Sequence, residues 1–288
     1  MKPPAPPLKP FRFWPRLLRL VALIILGFFG LLTACQHKLI YFPSPYQSGE
    51  PAAFVQRGGQ RLDFTTKQGR QTAWLIPPRD GKPVERLWLV CAGNASTALA
   101  MDGYCRSLPF TGDAFLLADY PGYGDCEGSP HPDDIRDSLR QSLPLAAKAL
   151  GLTEADLPGR TIVFGNSLGC AAGLIAADEF KLRRAVLCAP FTSTMEMAKV
   201  KLGLPLGFLV WHRFDNRARL AAFSANRGKA WVFHGDADVI IPAAMSRTLA
   251  AEFPGTMTLQ EIPGAGHNNL IPRAHKRILA AMTAARGD

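Results

Sequence analysis

The sequence lacks several features that would assign it to a particular class of protein. Its 288 residues contain no internal repeat and no long low-complexity tract, which argues against a solenoid or a fibrous protein. No group of Cys and His residues has the spacing of a zinc site, so no metal is predicted. With 48% hydrophobic and 19% charged residues, the chain can bury a sizeable core, and its length suits one large domain better than two small ones.

Acidic residues are also missing from the N-terminus, where the first one is Glu50. The formal net charge is +10, and five of the 33 basic residues precede position 35. Without residues 1–34 the chain has 28 basic and 23 acidic residues, a balance of +5. Because the excess charge is largely N-terminal, we expect the rest to be solvated surface charge and predict no nucleic-acid partner.

The N-terminal charges precede an uncharged apolar run of 15 residues, 20–34. This order is typical of an export signal, and the run is short for a membrane span, which needs about 20 residues. It ends in Leu32-Thr33-Ala34-Cys35, which resembles the lipobox of bacterial lipoprotein precursors. The resemblance implies cleavage before Cys35 and acylation of its sulfur. The alternative is an uncleaved signal anchor, which leaves the domain beside the same membrane.

Five further cysteines follow Cys35, and an odd number leaves at least one thiol unpaired in a monomer. Export permits a disulfide, and Cys105 and Cys126 both lie in segments that follow neighbouring predicted strands. Sequence alone does not establish connectivity, so this pairing stays open.

Apolar strands alternate with helices from residue 86 onward, after a strand-like piece at 38–43 and an antiparallel hairpin at 62–66 and 72–76. This alternation predicts an α/β fold with a mostly parallel sheet flanked by helices, whose sites form beyond the carboxyl ends of the strands. The later predicted strands are 86–91, 114–118, 161–164, 185–188, 230–233 and 257–262. The main predicted helices are 95–108, 133–150, 243–253 and one that begins at Arg273.

A Gly-x-Ser-x-Gly pattern centred on Ser167 joins one of these strands to an apolar helix. A serine on such a strained turn needs small neighbours, which Gly165 and Gly169 provide. The turn exposes the hydroxyl at the carboxyl end of the strand and directs the amide of Leu168 toward an oxygen beside it. We therefore predict Ser167 as a nucleophile and Leu168 as an oxyanion-hole donor.

Three other loops supply the partners that a serine nucleophile requires. Asn94 follows the strand at 86–91, and its amide is the predicted second oxyanion donor. Asp238, with Asp236 as the alternative, follows the strand at 230–233 and is predicted to orient an imidazole. His267 follows the last strand and is the predicted general base, because the order serine, aspartate, histidine matches the hydrolase triad order.

The loop at 119–130 contains three glycines but has neither a Walker lysine nor dinucleotide spacing, so no cofactor is predicted. We expect Asp119 to stabilise this loop rather than to react. His234 is likewise expected to be a hydrogen-bonded structural residue.

These motifs in this order resemble the α/β-hydrolase superfamily, and more narrowly its membrane-anchored branch with a small lid, related to serine aminopeptidase-like and acyl-protein-thioesterase-like members. The resemblance is carried by AGNAS, DYPGYG, GNSLG, APFTS, RFDN, HGDADVIIP and GAGHNNL. It implies a lipoprotein signal peptide at 1–34, an anchor and linker at 35–60, and a hydrolase domain at 61–288. A small lid is expected at about 189–228, between the sixth and seventh strands. Relatives often have His-Gly where this chain has Ala92-Gly93.

The predicted function is a serine hydrolase that cleaves an ester or thioester at the bacterial cell envelope. Its substrate is a small-molecule or lipid-linked acyl compound, its membrane contact is the lipid anchor, and Gln36 after the cysteine favours an outer membrane. A peptidase or amidase, or an inactive binding protein of the same fold, remains the alternative. Five apolar lid residues either pack the lid down or serve an open pocket: Leu204, Leu206, Phe208, Leu209 and Trp211.

Overall fold

In the computed structural model, residues 13–203 and 206–287 are described, except for the side chains of residues 13, 32 and 206. An eight-stranded sheet has the order β1-β2-β4-β3-β5-β6-β7-β8. Antiparallel pairing joins β1 to β2 and β2 to β4, and every later pair is parallel. The strands are β1 Gln60–Thr66, β2 Gly69–Ile76, β3 Leu87–Cys91, β4 Ala114–Ala118, β5 Thr161–Asn166, β6 Arg184–Cys188, β7 Lys229–Gly235 and β8 Met257–Ile262.

Eleven α-helices and four short 3-10 helices accompany the sheet in the described part of the chain. The α-helices are α1 Phe13–Ala34, α2 Gln36–Ile40, α3 Glu50–Gln56, α4 Asp102–Ser107, α5 Pro132–Ala149, α6 Leu157–Arg160, α7 Leu168–Glu179, α8 Thr194–Leu202, α9 Asn216–Ala225, α10 Ala243–Glu252 and α11 Leu270–Gly287. The 3-10 helices are Ala98–Met101, Glu154–Asp156, Leu206–Leu209 and His267–Asn269.

Alternate residues of the parallel strands face two separate apolar cores. In β3, Leu87 and Leu89 belong to one core, whereas Trp88 and Val90 belong to the other. Residues of α5, α7, α9 and α10 cover the first face, and residues of α4 and α11 cover the second. Because both faces are covered, the central strands contain continuous apolar runs, and the predicted α/β architecture is confirmed.

Two sequence predictions about local structure were wrong. The piece at 38–43 was expected to be strand-like, but residues 36–40 form helix α2, and residues 41–43 follow without regular structure. The long helix expected at 95–108 is a 3-10 turn followed by the six-residue α4. Residues 40 and 42 bond to Asn94, and the 3-10 turn contacts β2, β3 and β4, so tertiary contacts override local propensity in both places.

The N-terminal helix α1 is 22 residues long, or about 33 Å at 1.5 Å per residue. Its window Trp14–Leu31 is apolar enough to cross a membrane and is not buried against the domain, although a signal sequence passes the same test. Cys35 lies at the turn between α1 and α2, and residues 1–12, which include part of the predicted signal, lie outside the described residues. After the turn, Tyr41 and Phe54 are both buried against the domain.

The lid expected between β6 and β7 is present as α8, the 3-10 helix Leu206–Leu209 and α9. Phe214 and Phe223 anchor it in the core. Of the five apolar lid residues named above, Phe208 and Trp211 are exposed and therefore do not pack the lid down. Leu209 is half-buried, and Leu204 and the side chain of Leu206 lie outside the described part.

All six cysteines are free thiols, so the open Cys105–Cys126 pairing is not formed. Both of these cysteines are buried, and burial raises the pKa of Cys126 to about 12. Cys35 is half-buried, in contrast to the other five.

Candidate active site

Ser167 stands on a sharp turn between β5 and α7. Its φ of 55° and ψ of −118° form a conformation that a residue with a side chain adopts at a cost. The Ser167 amide donates to the carbonyl of Cys188 at 2.8 Å, which ties the turn to the end of β6. The turn is therefore held by the neighbouring strand as well as by the start of α7.

The two glycines around Ser167 are required by close approach of backbone atoms. A Cβ at Gly169 would lie 2.0 Å from the carbonyl oxygen of Cys91 in β3, and a Cβ at Gly165 would lie 2.8 Å from the carbonyl oxygen of Gly169. Real Cβ atoms do not approach backbone this closely. Any larger residue at either position would push α7 away from the sheet and displace the serine.

His267 bridges the serine to a carboxylate. Its Nε2 lies 2.9 Å from Ser167 Oγ, and its Nδ1 lies 2.6 Å from Asp238 Oδ2. The three residues come from the ends of β5, β7 and β8, and His267 begins the 3-10 helix before α11. The structure thus brings together three side chains that are 100 and 29 residues apart in sequence.

Asp238 is buried and surrounded by donors. Burial raises its pKa, but hydrogen bonds from His234, His267 and the Ile241 amide outweigh burial, so the pKa of Asp238 lies well below its usual range. Its Oδ1 accepts from the amides of Ile240 and Ile241 at 2.8 and 2.9 Å, which leaves Oδ2 for the imidazole. The carboxylate is therefore ionised and fixed in orientation.

The alternative aspartate makes a different contact. Asp236 is exposed, and its Oδ1 accepts from the amide of Gly264 at 2.7 Å. This bond joins the loops after β7 and β8 and does not involve the imidazole. Asp238 is the aspartate that contacts His267.

His234 is fully buried behind the same loop. Its Nδ1 lies 2.6 Å from Ser246 Oγ, and its Nε2 lies 2.9 Å from the carbonyl oxygen of Ile241. It also approaches Asp238 Oδ2 at 3.4 Å. His234 is a hydrogen-bonded structural residue, as expected from its place at the end of β7.

The loop after β3 passes directly beside the nucleophile. A Cβ at Gly93 would lie 3.5 Å from Ser167 Cβ and 3.1 Å from Asn166 Nδ2. Asn94 follows in this loop, and Leu168 is the first residue of α7. Both predicted oxyanion donors therefore belong to backbone segments that border Ser167.

The side chain of Asn94 holds this loop in a way that sequence reasoning missed. Its Nδ2 donates to the carbonyl of Ile40 at 2.6 Å, and its Oδ1 accepts from the Phe42 amide at 2.9 Å. The Tyr123 hydroxyl donates to the same Oδ1 at 2.6 Å, and the Tyr120 hydroxyl donates to the Ala92 carbonyl at 2.8 Å. These contacts brace the loop that contains Ala92-Gly93. No sequence signal pointed to residues 40–42.

Asp119 is buried in the neighbouring loop and makes structural contacts. Its Oδ1 accepts from the Ala98 amide at 2.8 Å, and its Oδ2 accepts from the side chains of Trp74 and Tyr46. Burial raises the pKa of Asp119 to about 6, although these hydrogen bonds oppose the shift. Asp119 joins the loop after β4 to the 3-10 helix Ala98–Met101 and does not contact Ser167 or His267.

Within residues 13–203 and 206–287, no group of three or more His, Cys, Asp or Glu side chains is arranged to hold a metal ion. The groups that meet at this edge of the sheet are the serine, the imidazole and the carboxylate. An alcohol beside an imidazole, with a carboxylate on the far ring nitrogen, is arranged for nucleophilic attack on an acyl carbon.

Comparison with known sequences identifies relatives of this chain. No family model matches the chain. The uncharacterized protein Rv2307c of Mycobacterium tuberculosis is 32% identical over 254 residues, which cover 87% of this chain and 86% of that protein. The α/β-hydrolase domain-containing protein aho-3 of Caenorhabditis elegans is 23% identical over 227 residues, which cover 78% of this chain and 64% of that protein.

Solved structures share the fold at low sequence identity. An esterase of Pyrococcus furiosus matches with a TM-score of 0.66 and 14% identity, over 85% of this chain and 97% of that one. An α/β hydrolase of Vibrio vulnificus matches with a TM-score of 0.63 and 16% identity, over 82% of this chain and 87% of that one. These matches confirm the predicted fold class. The chain has the α/β-hydrolase fold and belongs to the same family as Rv2307c.

Proposed function

We propose that this protein is a serine hydrolase that cleaves an ester or thioester through an acyl-enzyme, at the cell envelope to which its N-terminal segment attaches it. The observation that carries the proposal is the position of His267 between Ser167 Oγ at 2.9 Å and Asp238 Oδ2 at 2.6 Å. Structural neighbours described as esterases, from Pyrococcus furiosus and from an Arctic intertidal metagenomic library, add weight to an ester as substrate.

The proposed reaction has two balanced steps. Ser167 Oγ bonds to the acyl carbon while its proton moves to His267 Nε2, and the carbonyl oxygen becomes an oxyanion facing the amides of Asn94 and Leu168. The bond to the leaving group breaks, and the leaving group takes the proton from His267. Water then gives a proton to His267 and bonds to the acyl carbon, the bond between that carbon and Ser167 Oγ breaks, and Oγ takes the proton from His267 as the acid leaves.

Asp238 has an orienting role in this proposal. Its buried carboxylate holds Nδ1–H of His267, so that Nε2 carries the lone pair that faces the serine. The positive charge that forms on the imidazole is then stabilised by the ionised carboxylate. No step needs a cofactor.

Envelope attachment rests on the N-terminal segment. The apolar helix α1 ends at Ala34, and the motif Leu32-Thr33-Ala34-Cys35 closes it as a lipobox would. A lipidated Cys35 and an uncleaved α1 both attach the domain to a membrane.

The test is labelling of the full-length protein with a fluorophosphonate probe together with hydrolysis of p-nitrophenyl butyrate. Ser167→Ala should lose both labelling and turnover, whereas Ser129→Ala, which changes an exposed serine in the loop after β4, should keep both. Labelling that persists in Ser167→Ala would refute the assignment. A wild-type protein that neither labels nor turns over the ester would favour a binding protein, and faster turnover of aminoacyl amides than of esters would favour a peptidase.

A further inference from the structure

Exposed large apolar side chains concentrate on three segments of the domain. Outside α1, every such side chain in the described part of the chain except Val55 lies on one of them. The segments are the stretch after α1 (Leu39, Phe42), the lid (Met195, Val200, Leu202, Phe208, Trp211) and the loop after β7 (Val239, Ile240). We call these nine residues the rim surface. Single exposed apolar residues are common on protein surfaces, whereas a cluster of them indicates an interaction surface.

The three segments lie at the same edge of the sheet. The lid follows β6 and the third segment follows β7, and these strands are parallel neighbours. Ser167 follows β5, which is parallel to β6, so the rim surface lies at the edge that carries the nucleophile.

The stretch after α1 is bonded directly to the lid. The Gln36 side chain donates to the carbonyl of Leu209 and accepts from the Trp211 amide at 2.7 Å. The Leu206–Leu209 turn packs closely on α8. The backbone at Gly207 approaches α8 so nearly that a Cβ there would lie 2.7 Å from the Met195 carbonyl oxygen. Ile40 and Phe42 in turn hold Asn94 beside the nucleophile. The lid, the stretch after α1 and the loop of Asn94 thus form one continuous structure.

Four exposed cations, Lys38, Lys199, Lys201 and Arg213, lie on or beside the segments that form the rim surface. Within the described residues none of them forms an ion pair, although Lys199 contributes, after Thr192 and Arg217, to lowering the pKa of Glu196. The sequence has no Asp or Glu at 36–49 or at 197–214. Exposed apolar and aromatic side chains interleaved with unpaired Lys and Arg are the composition that binds the surface of an anionic bilayer.

The position of the membrane attachment identifies the occupant of this surface. Helix α1 is apolar and exposed, and it ends at Ala34, two positions before Gln36, whose side chain holds the lid. Whether α1 stays or Cys35 carries lipid, the bilayer begins beside the rim surface.

We propose that the rim surface rests on a bilayer that contains anionic lipid, and that the site takes its acyl ester from the lipids of that bilayer. The first part rests on the proposed attachment to the envelope, and the second part rests on the proposed hydrolase. A bilayer below the lid would present ester carbonyls at the depth of its headgroups, next to the edge at which Ser167 stands. Hydrolysis would release a fatty acid into the bilayer and leave the deacylated lipid.

The first experiment measures contact with the bilayer and does not depend on catalysis. Full-length protein is reconstituted in phosphatidylcholine–phosphatidylglycerol vesicles with or without brominated acyl chains, which quench tryptophan on contact. Trp211 is one of five tryptophans, and Trp14 in α1 is also exposed. The intensity that bromolipid removes is therefore measured in both proteins, and subtraction of the Trp211→Phe value isolates the contribution of Trp211. We expect bromolipid quenching of the wild type to exceed that of Trp211→Phe. Equal quenching would overturn the docking proposal.

The second experiment measures the substrate class. A variant with Phe208→Ser and Trp211→Ser should hydrolyse a fluorogenic phosphatidylglycerol in the vesicles roughly tenfold more slowly, because two buried aromatic contacts with the bilayer are lost. Its turnover of soluble p-nitrophenyl butyrate should stay at the wild-type level. Val55→Ser is the matched control, since Val55 is exposed but lies outside the rim surface.

The outcomes separate this inference from the function on which it rests. Equal loss on both substrates would mean that the lid residues support the fold, and would overturn the inference. Wild-type activity on the soluble ester alone, with Trp211 quenched, would keep the docking and overturn the lipid substrate. A wild type without fluorophosphonate labelling or turnover would refute the hydrolase, while the quenching still decides the docking.

Discussion

The side-chain hydrogen bonds of Asn94 lead to a prediction about the position of its main-chain amide. The prediction distinguishes the loss of that amide from its displacement. Asn94→Ala keeps the main-chain amide that is proposed to face the oxyanion, but removes the side chain that holds it. The lost hydrogen bonds are those with the Ile40 carbonyl, the Phe42 amide and the Tyr123 hydroxyl, together with a local one from the Ala95 amide. Any effect on the rate then reports how strictly the loop has to be placed.

The size of the effect follows from these contacts. Each hydrogen bond contributes about 1 kcal/mol net, and Asn94 is half-buried, so water replaces part of what is lost. We expect the free energy of unfolding to fall by about 1–2 kcal/mol, which lowers Tm by roughly 2–8 °C for a domain of this size. Complete loss of an oxyanion donor costs ~10²–10³ in kcat, and a displaced amide loses part of that, so we expect kcat to fall roughly tenfold to hundredfold.

The assay is steady-state hydrolysis of p-nitrophenyl butyrate, with Tm measured on the same samples. Asn226→Ala is the matched control, because its Nδ2 also donates to a backbone carbonyl, that of Lys181 at 2.7 Å, and it lies in the turn between α9 and β7. Tyr123→Phe removes one of the bonds to Asn94 and should lower kcat less. The reasoning is refuted if Asn94→Ala has a lower Tm but the kcat of the wild type.

Two further predictions concern the carboxylate and the anchor. Because the folded state lowers the pKa of Asp238 from 3.8, its ionised form stabilises the fold above pH 3.8, and this contribution is lost as pH falls through the lower folded value. Asp238→Asn should therefore be less stable than the wild type at neutral pH, by a margin that narrows in acid, and kcat should fall by ~10⁴; a margin independent of pH in urea unfolding would contradict this account. For the anchor, Cys35→Ser should abolish incorporation of radiolabelled palmitate and leave α1 uncleaved by mass spectrometry; wild-type protein that takes up no label and retains α1 is instead a signal-anchored protein.

The order of the elements and the contacting side chains were predictable because each depends on local sequence. Continuous apolar runs such as 161–164 can be buried on two sides, and only glycine fits at 165 and 169 where backbone approaches backbone. Since all parallel strands end at one edge, the loops that contain Ser167, Asp238 and His267 had to meet there. The choice of Asp238 over Asp236 also followed from position, and the structure places Asp238 against the imidazole.

Other features required the folded chain, because they join residues that no local pattern connects. Helix α2 replaces a predicted strand, and residues 40–42 hold Asn94, which is more than 50 positions away. The short helix after β3 and the outward direction of Phe208 and Trp211 depend on what packs beside them.

The sequence alone determined the fold class and the chemistry of the edge, since strand burial, glycine geometry and motif order are properties of short segments. Only the tertiary structure decided that the stretch after α1 contacts both the lid and the loop that contains Asn94. Those contacts arise from the Gln36 and Asn94 side chains, whose hydrogen-bond partners are set by three-dimensional proximity and not by their neighbours along the chain.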